Sequence, residues 1–108
     1  MITIGIVEDN DVLRSSMEML LQNNGNYQVV FSLHDARTIL EQTEIHMPRL
    51  ILMDIDMPGI NGIEAVKMVK KDFPAVDIIM FTVFEDDEKI FRSVMAGARG
   101  YLLKKIAP

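Results

Sequence analysis

The sequence predicts an α/β fold, with five parallel strands covered by helices. Three observations carry that expectation. Five short apolar runs alternate with four stretches of helical periodicity, a pattern that argues for a parallel sheet with right-handed crossovers. The run Leu50-Ile51-Leu52-Met53 is apolar throughout and ends in turn residues, which suits a strand buried on both faces. Four of the five runs end in a charged or hydroxyl-bearing residue, and open α/β sheets bind their ligands at strand carboxyl ends.

Taken in order, Ile2 to Val7 is a β-branched run that stops at Glu8-Asp9. Asp11 is placed to cap the helix that follows, with Leu13, Met17, Leu20 and Leu21 spaced as its buried face, and Asn23-Asn24-Gly25-Asn26 ends it. Tyr27 to Phe31 is the next strand. Asp35 opens a helix running to about Gln42, with Ala36, Ile39 and Leu40 inward. Leu50 to Met53 is the central strand, closed by Asp54 and the turn signals Pro58-Gly59 and Asn61-Gly62. Asn61 with Glu64 three residues on reads as a capping box; Ile63, Val66, Val69 and Phe73 are its stripe, and Pro74 terminates that helix. Asp77 to Phe81 is a strand ending at Thr82. Asp86, Asp87 and Glu88 place acids at the start of a helix carrying Ile90, Phe91, Val94 and Met95, which suits its dipole. Gly97 stops it, and Gly100 to Leu103 is the last strand before Lys104.

At 108 residues the chain makes one domain with one core. A formal charge of -5 and a sequence pI near 4.9 argue against direct nucleic-acid binding by this segment. Without cysteine, disulfide frameworks, thiolate zinc sites and cysteine nucleophiles are excluded. The apolar start is too short and lacks the basic flank of a signal peptide, and nothing approaches the ~18 apolar residues of a membrane span. A cytoplasmic protein is expected. Nine methionines, among them Met17, Met53 and Met80 at buried-face spacings, read as core filling. His34 at a helix start and His46 before Pro48 lie away from the strand-end acids and read as surface residues.

Singly, each strand-end group has an ordinary reading. Asp54 can accept hydrogen bonds in its turn, Glu8-Asp9 can be a solvated helix start, Thr82 a turn hydroxyl and Lys104 a surface charge. Together they form a set suited to phosphoryl chemistry. Three carboxylates in close quarters repel unless a cation neutralises them, and an oxygen-only site fits Mg2+. Lysine supplies a compensating ammonium and threonine a donor, so a carboxylate can attack while developing charge is held. In that reading Asp54 is the nucleophile and forms an aspartyl phosphate.

The segments Val7-Glu8-Asp9-Asn10, Leu52 to Gly62, Phe81-Thr82 and Ala96 to Lys104 resemble the receiver domain of two-component response regulators across the whole chain. The resemblance implies a doubly wound, flavodoxin-like sheet with strand order 2-1-3-4-5, in which a sensor histidine kinase phosphorylates Asp54. Asp9 and Asp54 would ligate Mg2+ directly with the Asp56 backbone carbonyl, and Glu8 through water. Thr82 and Lys104 would contact the phosphoryl oxygens, and Tyr101, with Thr82, would move on activation. The Val83 to Glu88 and Gly97-Ala98 contexts look closest to the subfamily with a covalently linked helix-turn-helix DNA-binding output domain.

The chain departs from that family in three places. Val83 stands where alanine or glycine is common, which predicts slow exchange with small phosphodonors and water. Lys105 follows Lys104 where proline is usual, so a cis bond is not expected there. The family's final helix is missing from 1–108, which leaves one sheet face under-covered and puts a homodimer built by this segment in question. Two other readings remain: a haloacid-dehalogenase-type phosphatase, disfavoured by the early acidic pair and the lack of a cap insertion, and an unphosphorylated receiver-like dimerisation module.

Overall fold

Five strands and four helices alternate along the chain in the computed structural model, which describes residues 1–104. They are β1 (Ile2–Val7), α1 (Asp11–Gln22), β2 (Tyr27–Leu33), α2 (Ile39–His46), β3 (Leu50–Met53), α3 (Gly62–Asp72), β4 (Asp77–Thr82), α4 (Asp87–Ala96) and β5 (Gly100–Leu103). All sheet pairings are parallel and the strand order is β2-β1-β3-β4-β5, as the resemblance implied. The expectation about Lys105 lies outside the described residues.

The apolar runs form strands because they are buried. Ile4, Ile6, Ile51, Met53, Ile78 and Met80 are all essentially inaccessible, and burying each such side chain contributes about 1.5–3 kcal/mol. The two faces of the sheet differ. One carries the larger core, with Ala36 and Ile39 of the α2 region and Ile63, Val66 and Val69 of α3 packed on Ile51, Ile78 and Met80. The other holds a smaller cluster of Ile4, Ile6 and Met17. On that side an apolar groove is lined by Met17, Leu20 and Leu21 of α1 and by Leu52, Phe81 and Leu102 of the sheet.

Local chemistry explains most helix boundaries. Asn61 caps α3 by accepting from Glu64 N at 3.0 Å, and Asp86 caps α4 by accepting from Lys89 N at 3.3 Å. Gly97 ends α4 in the left-handed region, φ 114°.

Several boundaries depart from the sequence reading. Asn10, not Asp11, caps α1: its side chain reaches Leu13 N at 3.0 Å, and Asp11 is the first helical residue. Leu20 is exposed on the flank of α1 rather than inward. β2 continues to Leu33. Asp35 does not open α2; its carboxylate accepts from Arg37 N at 3.0 Å in a local turn, and the helix begins only at Ile39. On α4, Phe91, Val94 and Met95 are exposed, whereas Ser93 is buried. Nothing among the described residues covers that stripe.

Candidate functional site

Parallel pairing sends every strand's carboxyl end to the same sheet edge, and register sets which side chains meet there. Val7 pairs with Met53, Met53 with Met80, and Thr82 with Leu103. The ladder runs one step further on each side: Asp54 N donates to Val7 O at 3.0 Å, Lys104 N to Thr82 O at 2.8 Å and Glu8 N to Leu33 O at 2.9 Å. Glu8, Asp54, Thr82 and Lys104 are thus fixed by backbone hydrogen bonds before any side chain is considered.

Their side chains converge. The Lys104 ammonium lies 2.5 Å from Glu8 Oε1 and 3.0 Å from Asp54 Oδ2. Glu8 Oε2 accepts from Asn10 N at 3.1 Å, and Asp54 Oδ1 from Ile55 N at 2.8 Å. Glu8, Asp9 and Asp54 each present a carboxylate oxygen within 4.8 Å of the others. Asp54 and Glu8 are buried and Asp9 is exposed, so the cluster opens to solvent on the Asp9 side.

Burial is the largest influence on Glu8 and pushes its pKa above the ordinary value; the Lys104 ammonium and the Asn10 N–H oppose this, while the Asp54 charge adds to it. For Lys104 burial is again the largest single influence and works against the ammonium. The Glu8 and Asp54 carboxylates together outweigh it and hold the lysine pKa above its usual value.

Three carboxylates and one ammonium leave a formal charge of −2 at this edge. An oxygen-only cluster of formal charge −2 that opens to solvent beside Asp9 fits a hard divalent cation.

Thr82 is fully buried, and its Oγ1 takes only a long contact of 3.4 Å from Phe84 N. The Tyr101 hydroxyl donates to Phe84 O at 2.7 Å, so both residues are tied to the β4–α4 loop through one residue. The Lys89 ammonium lies 4.6 Å above the Phe84 ring. Burial, then the charges of Asp86 and Asp54, raise the Tyr101 pKa.

Asp56 is exposed and is not one of the clustered carboxylates. His34 and His46 are exposed and away from the cluster, as read from sequence. Three supporting residues were missed: Asn10, Phe84 and Arg14. Asn10 was legible as a cap candidate one residue before Asp11. Phe84 acts through its backbone, for which no sequence signal exists.

The response regulator receiver domain model matches residues 4–108. The chain is 35% identical over 107 residues to the transcriptional regulatory protein LnrK of Bacillus subtilis (strain 168), covering 99% of this chain and 49% of that protein. It is 33% identical over 104 residues to the response regulator GacA of Pseudomonas viridiflava, covering 96% and 49%. The chain therefore spans about half the length of the curated relatives it matches. Among solved structures, a LuxR-family two-component response regulator from Aurantimonas sp. SI85-9A1 superposes with a TM-score of 0.90 at 28% identity, covering 95% of this chain and 74% of that one. A CheY-like receiver domain protein from Methanospirillum hungatei JF-1 gives 0.89 at 30% identity, covering 100% and 85%.

Proposed function

The chain belongs to the response regulator receiver domain family of two-component systems, and from that membership we propose that Asp54 is its phosphoacceptor. The carrying observation is the placement of Asp54 at the central strand end, buried, with one carboxylate oxygen held by Ile55 N and the other against the Lys104 ammonium.

In the proposed reaction a carboxylate oxygen of Asp54 attacks the phosphorus of a phosphohistidine on a sensor histidine kinase. The new P–O bond forms as the P–N bond breaks, and the imidazole nitrogen leaves with the electron pair. Asp9 and Asp54 with the Asp56 carbonyl, and Glu8 through water, would hold a Mg2+ ion, which when bound would supply neutralisation of phosphoryl charge. Lys104 holds an Asp54 oxygen before transfer and a phosphoryl oxygen after it. Thr82 offers its hydroxyl to another phosphoryl oxygen, and because Phe84 joins Thr82 to Tyr101, inward movement of Thr82 shifts the loop that the Tyr101 hydroxyl holds. The signal then reaches the α4–β5 face, whose Phe91, Val94 and Met95 are exposed.

In this reading residues 1–108 are the receiver unit of a longer cytoplasmic protein. A covalently linked DNA-binding output is supported by the transcriptional regulators among its relatives, about half of whose length lies outside the match. Homodimerisation through the α4–β5 face belongs to the same proposal. Among the described residues no helix is long and apolar enough to cross a membrane.

The test is intact mass of the wild type and of Asp54→Asn after incubation with Mg2+ and acetyl phosphate or a histidine-kinase domain. One added phosphate on the wild type alone is expected. No adduct from either donor refutes the assignment, and steady release of phosphate from unrelated monoesters would replace it with the phosphatase reading.

A further inference from the structure

We propose that Arg14, on the first turns of α1, is a positioning residue for the divalent-cation cluster; this rests on the reading of Glu8, Asp9 and Asp54 as that cluster. Arg14 Nη1 donates to the Glu8 carbonyl at 2.7 Å, and Nη2 to Asp11 Oδ1 at 2.7 Å. Its side chain is only 18% exposed, so the fork is held by packing as well as by its partners.

The Glu8 carbonyl belongs to the peptide that leads into Asp9. That peptide leaves the sheet: Glu8 N, one residue past β1, still meets a ladder partner, Leu33 O at 2.9 Å. Past that point Arg14 holds the carbonyl side of the plane from which Asp9 projects. Asp9 is exposed and, among the described residues, no side-chain hydrogen bond or ion pair holds it, so its approach to Asp54 and Glu8 depends on its backbone. Glu8, by contrast, has both carboxylate oxygens engaged, by Asn10 N and by Lys104.

A second cation beside a cation site also opposes binding by repulsion, so the sign of the effect has to be decided. Asp11 lies at hydrogen-bond distance from the same guanidinium and its opposite charge offsets that repulsion. The orienting effect of the fork therefore prevails, as with outer residues of metal sites, whose loss lowers affinity by about 10–100-fold. Because Asp9 keeps its own covalent tether, about tenfold is expected here.

The experiment titrates MgCl2 alone into the wild type, Arg14→Met and Arg14→Lys by calorimetry, with far-UV circular dichroism to confirm folding. Arg14→Met keeps the apolar stem and removes both donors; its Mg2+ dissociation constant is expected to rise about tenfold. Arg14→Lys, which keeps one charged donor group, is expected to recover part of that loss, and it carries the comparison if the methionine variant does not fold. In both, the Asp9 amide resonance should shift in the metal-free protein. Folded variants that bind Mg2+ within twofold of the wild type overturn the role of Arg14. A wild type that binds no Mg2+ overturns the underlying cluster assignment instead.

Discussion

Replacing Gly62 by alanine is the sharpest test of how this site is built. Gly62 opens α3 beside the segment that leaves β3: an added Cβ would stand 1.9 Å from Asp54 O, 2.8 Å from Asp54 C and 2.9 Å from Ile55 Cα. All three are backbone atoms, so no rotamer change relieves the clash. Restoring an ordinary contact takes a shift of about 1.5 Å of the α3 N-terminus or of the Asp54–Ile55 backbone. Such a shift also loosens the Gly62 N–H bond to Ile55 O, now 2.8 Å. Overpacking of this kind costs about 1–3 kcal/mol and the hydrogen bond about 1 more. Alanine's better helix propensity returns roughly 0.5–1 kcal/mol. The net expectation is a destabilisation of about 2–3 kcal/mol, which lowers Tm by roughly 10–20 °C in a domain of this size. Urea and thermal unfolding followed by far-UV circular dichroism measure it, with Gly25→Ala as control, because a Cβ there meets nothing within 4 Å. Phosphorylation by acetyl phosphate should slow in Gly62→Ala, since the displaced backbone carries Asp54. A Gly62→Ala protein with a midpoint equal to or above the wild type would refute the reasoning.

Two further expectations concern the loop after β4. Val83 is 64% exposed, so Val83→Ala should leave stability within about 0.5 kcal/mol; if its side chain screens Asp54, both phosphorylation by acetyl phosphate and loss of the phosphoryl group should quicken, and unchanged rates exclude that role. The Tyr101 pKa is raised above 10.0, by burial first and then by Asp86 and Asp54, so the folded state favours the neutral phenol. Its stabilising contribution is therefore complete below pH about 10 and lost as pH rises through the higher folded value. The stability advantage of wild type over Tyr101→Phe should shrink in urea titrations across that alkaline range; an advantage that stays constant means Tyr101 ionises as freely folded as unfolded.

Much of this protein was legible one element at a time. Leu50 to Met53 read as a strand buried on both faces, because four consecutive apolar residues flanked by turns leave no polar side to show solvent, and in the sheet Ile51 and Met53 are buried while Leu50 and Leu52 are half-buried. Asn61 announced the start of α3 because capping is an interaction over three residues. Asp35 misled for the same reason. Its preference for a local side-chain bond is satisfied by Arg37 in a turn, and the hydrophobic contacts of Ile39 decide where α2 begins.

The sequence by itself determined which residue types stand at the strand ends, and parallel alternation is enough to gather those ends at one edge. Tertiary structure alone decided the rest. Lys104 meets Glu8 across almost the full length of the chain because β1, β3, β4 and β5 are adjacent in the sheet with the register observed. Arg14 reaches the Glu8 carbonyl, and Gly62 must lack a side chain, because of where two backbones pass each other. Phe91, Val94 and Met95 show the same limit: their spacing marks an apolar stripe, yet burial depends on what packs against it. Periodicity and capping are local properties of a chain, whereas contact between distant backbones depends on the positions of every element at once.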